Sequence, residues 1–160
     1  MHDNSIGHNL DQALVSLPSE YVISGRGEAR FVIGPRGAFV LLPTGTGDRD
    51  IADAAHHLQE LTVSTRDALC RHLSWVPFLD GLLVAATAPP RHAGVTIAPV
   101  DLVRVVLTEG PEAIDLATLN AVRAAIRTGS LGPWKMGVAA DDRIDLCDPI
   151  DSPSRLPSRR

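Results

Sequence analysis

Apolar residues recur along the chain in two rhythms, and the changes between them divide it into elements. Leu10, Ala13, Leu14 and Leu17 stand at helical spacing and stop at Pro18, which predicts a short amphipathic helix. Residues 1–9 ahead of it are polar and aperiodic and read as a frayed end. Tyr21-Val22-Ile23-Ser24 reads as a strand, turned by Gly25-Arg26-Gly27. Phe31-Val32-Ile33 and Ala38-Phe39-Val40-Leu41-Leu42 flank Gly34-Pro35-Arg36-Gly37. Two β-rich runs around such a turn predict an antiparallel hairpin, its glycines supplying positive φ. The second run is apolar on both faces, as in an interior strand of a covered sheet.

After the small-residue loop from Pro43 to Gly47, Asp48 or Asp50 is placed to cap a helix. Ile51, Ala54, Ala55, Leu58, Leu61, Ala68 and Leu69 form one stripe over residues 50–73. Thr62-Val63-Ser64-Thr65 lowers helix propensity midway and allows a kink. Gly81 to Ala86 reads as a buried strand, Pro89-Pro90 ends it, and Val95-Thr96-Ile97-Ala98 reads as another. Asp101 is placed to cap a helix carrying Leu102, Val105 and Val106. Asp115 starts a second with Leu116, Leu119, Val122, Ala125 and Ile126, ending at Gly129. Beyond Pro133 the pattern dissolves, leaving Ile144 and Leu146 for one short strand. Residues 149–160 mix Pro, Ser and Arg with no large apolar run and read as a disordered tail. The order α-β-β-β-α-β-β-α-α predicts one α/β domain over residues 10–148, a mixed central β-sheet with flanking helices.

Composition narrows the function classes. At 160 residues the chain has the length of one domain and can build a core without staples. Fifteen basic against nineteen acidic side chains give a net charge of −4, so nucleic acid could be held only through a local patch. The two cysteines, Cys70 and Cys147, match neither a disulfide framework nor a zinc cluster. Met1-His2-Asp3-Asn4-Ser5 lacks the basic-then-apolar plan of a secretory leader. No apolar run reaches the roughly 18–20 residues of a membrane span. A soluble, cytoplasmic protein without a membrane association is expected.

The polar candidates are mostly explained by their helices. Asp50 and Asp53 share a helix face, but helix capping and first-turn charge account for Asp48, Asp50 and Asp53. Thr44-Gly45-Thr46-Gly47 lacks the frame and lysine of a phosphate loop. His56 and His57 point about 100° apart on a helix, so one metal cannot easily take both. Glu60 could meet His56. Cys70 has no nucleophile pattern around it and reads as a core or helix-flank thiol. Asp141, Asp142, Asp145 and Asp148 lack the spacing of a calcium loop. Arg123 and Arg127, at i and i+4, are candidates for contact with phosphate or an acidic partner, and Arg155, Arg159 and Arg160 load the tail. Trp75 and Trp134 read as partly buried anchors.

One stretch carries more. Phe31-Val32-Ile33-Gly34-Pro35-Arg36-Gly37-Ala38-Phe39-Val40-Leu41 resembles the "VVVGPxGVFVI" signature of the nuclease-related domain (NERD) family. Trp75-Val76-Pro77, Gly94-Val95-Thr96-Ile97-Ala98-Pro99 and Asp101-Leu102-Val103 are similar to the family's downstream motifs, and Leu10 to Tyr21 to its lead-in. The likeness extends over about residues 10–128. It implies a restriction-endonuclease-like fold and, in active members, metal-dependent phosphodiester hydrolysis by strand-end carboxylates and a lysine.

Laid onto this chain, the family's first acid falls at Arg30, and its Asp/Glu-x-Lys at Leu42-Pro43-Thr44. A cation, a hydrocarbon and a hydroxyl stand where ligands and an ammonium are required. Glu28, two residues from the first position, is expected on the same strand face. The resemblance therefore implies a pseudo-nuclease: a non-catalytic binding module without cofactor or metal, meeting a protein partner in preference to nucleic acid. The enzyme alternative is a metal-dependent nuclease with relocated acids Glu28, Asp48 and Asp50.

Overall fold

The structure, a computed structural model, describes residues 2–45, 47–87 and 96–136. The expected strand at Ile144 and Leu146, the acidic run from Asp141, Cys147 and the tail lie outside the described residues.

The described chain runs α1 (His2–Val15), β1 (Val22–Arg26), β2 (Ala29–Gly34), β3 (Gly37–Pro43), α2 (Asp48–Cys70), β4 (Leu79–Ala85), β5 (Ile97–Pro99), α3 (Val103–Thr108), α4 (Leu116–Arg127) and β6 (Lys135–Met136). A 3₁₀ turn, Val100–Leu102, leads into α3. The strands form one six-stranded sheet in the order β5-β4-β3-β2-β1-β6. β1, β2 and β3 are an antiparallel meander, and β6 pairs antiparallel with β1. β4 lies parallel to β3 and β5 parallel to β4. A parallel neighbour needs a crossover, and α2 supplies it between β3 and β4. The sheet is mixed and flanked by helices, an α/β fold.

Alternation along the strands divides two apolar layers. Phe31, Ile33, Val40, Leu42, Leu79 and Leu83 join α2 and α4 on one face. Val32, Leu41, Leu82 and Val84 join α1 and α3 on the other. Both faces are covered, which is why β2 is buried at every position.

The hairpin holds, with Gly34 paired to Gly37 across Pro35-Arg36. Gly34 has no positive φ, contrary to expectation; its requirement is space. A Cβ there would stand 2.2 Å from the Tyr21 ring packed on it. The frayed end expected at residues 1–9 is not found over its described part, because α1 begins at His2 and Ile6 is already buried with Leu10 and Leu14. α2 is one unbroken helix of 23 residues. Its β-branched stretch is accommodated because the Thr62 and Thr65 hydroxyls donate back to the Leu58 and Leu61 carbonyls at 2.7 and 2.6 Å.

Helix starts differ from expectation too. Gly47 is the N-cap of α2 and no side chain caps it; Asp48 and Asp50 stand in its first turn, where negative charge is favourable. Asp101 lies inside the 3₁₀ turn and caps nothing. Asp115 does cap α4, accepting from the Thr118 amide at 2.9 Å, and Gly129 follows the helix at φ 78. That hydrogen bonding lowers the Asp115 pKa below the usual carboxylate value.

Candidate functional site

Cross-strand register decides whether the motif positions can meet. Arg30 pairs with Leu41, so their side chains share the α1 face of the sheet, while Leu42 belongs to the α2 face. The two motif positions Arg30 and Leu42 therefore lie on opposite faces of the sheet. Arg30 is 3% exposed. Its Nε and Nη2 donate to the two carboxylate oxygens of Asp11 on α1, at 2.9 and 3.3 Å. Nη1 donates to the carbonyls of Gly27 and Ala29 at 2.8 and 2.7 Å. The guanidinium fastens α1 to the start of β2. Leu42 is core, and Thr44 is buried with its amide donating to the Val84 carbonyl at 2.8 Å.

The relocated acids do not converge either. Glu28 sits in the turn between β1 and β2, exposed, and not on a strand face. It lines a shallow groove of about 490 Å³ beside Leu42, together with Arg26, Asp53 and His57. Asp48 and Asp50 are absent from that lining; the Asp50 carboxylate lies against Gly45 instead. Among the described residues no group of three or more His, Cys, Asp or Glu side chains is placed to hold a metal ion. Asp53 is the acid that shares a groove with Glu28, and its i, i+4 spacing to His57 was the sequence signal for it.

The remaining candidates separate by exposure. His56 Nε2 lies 3.5 Å from Glu60 on the solvated side of α2. Cys70 is exposed, a helix-flank thiol. His72 Nε2 donates to the Ser130 carbonyl at 2.9 Å, tying the end of α2 to the segment after α4. Arg123 is half-buried and donates to Asn120 and to the Ser19 carbonyl, which makes it a link between α4 and the α1–β1 loop. Arg127 is exposed in the last turn of α4.

The tryptophans part company. Trp134 is buried, packs on Phe31 with ring centroids 5.8 Å apart, and donates from Nε1 to Thr65 Oγ1 at 3.1 Å. Trp75 was expected to be partly buried and is 55% exposed; Phe78 is 75% exposed. Both lie in the α2–β4 connection, whose Pro77 is buried and whose Leu73 and Val76 pack on the core. The inward residues hold the backbone, so the two rings face water on an anchored segment. Sequence reasoning missed this surface because Trp75-Val76-Pro77-Phe78 is uniformly apolar and has no period to assign faces.

The fold is thus an α/β domain with a mixed six-stranded sheet, and among its described residues no helix is long and apolar enough to cross a membrane. No family model matches the chain, and no curated protein and no solved structure matches it.

Proposed function

We propose that the chain is a non-catalytic domain of the nuclease-related type, restriction-endonuclease-like in fold, that acts in the cytoplasm as a binding module for a protein partner and needs no cofactor. The mixed sheet, with its antiparallel β2–β3 hairpin at the "VVVGPxGVFVI"-like segment, fits the fold that resemblance implies. The motif positions serve packing: Arg30 binds Asp11 and Leu42 fills the core. The observation that carries the binding role is the pair Trp75 and Phe78, large aromatics turned to solvent by an anchored loop. Exposed aromatics on a held backbone bury much area at little entropic cost, the character of interface anchors. The net charge of −4 favours a protein over DNA.

Affinity capture from nuclease-treated extract tests this reading, comparing the full chain with a Trp75→Ala, Phe78→Ala variant. A specific protein should be retained by the first and lost by the second. Capture that ignores the double substitution, or tight sequence-dependent DNA binding with no protein retained, would overturn it.

A further inference from the structure

We draw no further inference here: the strongest candidate, the shallow groove between the β1–β2 turn and α2, is lined by Arg26 as well as by Glu28 and Asp53, so its charges select neither a cation nor an anion, and nothing in the structure shows what covers it.

Discussion

The sequence showed Arg30 only as a cation at the first-acid position of the resembled motif, because its partner Asp11 lies 19 residues away on another element. A buried guanidinium needs both charge and hydrogen bonds returned to it; Asp11 supplies the charge and two of the four hydrogen bonds. Asp11→Ala should cost about 3–5 kcal/mol, since it strands a buried cation. Asp11→Leu combined with Arg30→Met should recover most of the loss, because apolar replacement of a buried pair is often close to neutral. Urea midpoints of the single and double variants check both statements; a single substitution costing less than about 1 kcal/mol would place the pair among weak surface bridges. Tyr21, the chain's one tyrosine, gives a second handle at this scale. Burial raises its pKa, opposed by Arg36 and assisted by Glu20. Its hydroxyl donates to the Leu107 carbonyl at 3.0 Å. With the folded value above the unfolded one, the unfolded chain loses the proton first. Stability from this group is complete below pH about 10 and falls as pH rises beyond it. Ultraviolet difference titration should show the native phenol ionising above pH 10, and later than in urea.

Among the elements, those with a strong period were readable and those held by contact were not. The stripe of α2 and the hairpin runs repeat often enough to state their faces. α1 was read too short because residues 2–9 are mostly polar, although Ile6 continues the buried face of Leu10 and Leu14. Among the described residues β6 is two residues long and pairs with Ser24 and Gly25, so no local pattern could announce it. What fixes the chain there is Trp134, just ahead of the strand, set against Phe31 and bonded to Thr65 of α2. Trp134→Ala should therefore destabilise by about 3–5 kcal/mol, through lost ring burial. It also leaves Thr65 without that donor. Denaturant unfolding measures the loss, and exchange protection at Lys135 and Met136 should fall with it.

At the scale of the whole molecule, the two apolar layers place Arg30 and Leu42 on opposite faces of one sheet, and Glu28 apart from Asp48 and Asp50. Purified protein with Mg²⁺ or Mn²⁺ should leave DNA and RNA uncut, and should bind duplex DNA no tighter than about 10⁻⁴–10⁻⁶ M at physiological salt. Gel assays with Glu28→Ala as comparison check the first; turnover abolished by that substitution would restore the relocated-acid nuclease. By itself the sequence determined the α/β class, the β2–β3 hairpin, the apolar stripe of α2 and the Asp115 cap. Those depend on spacing within a few residues, where side-chain period and turn chemistry act directly. Only the tertiary structure decided that Arg30 is a fastener for α1, and that Trp134 is buried while Trp75 is exposed. Each of those turns on residues distant in the chain meeting across a sheet or helix, where register and burial, not local pattern, determine what a side chain does.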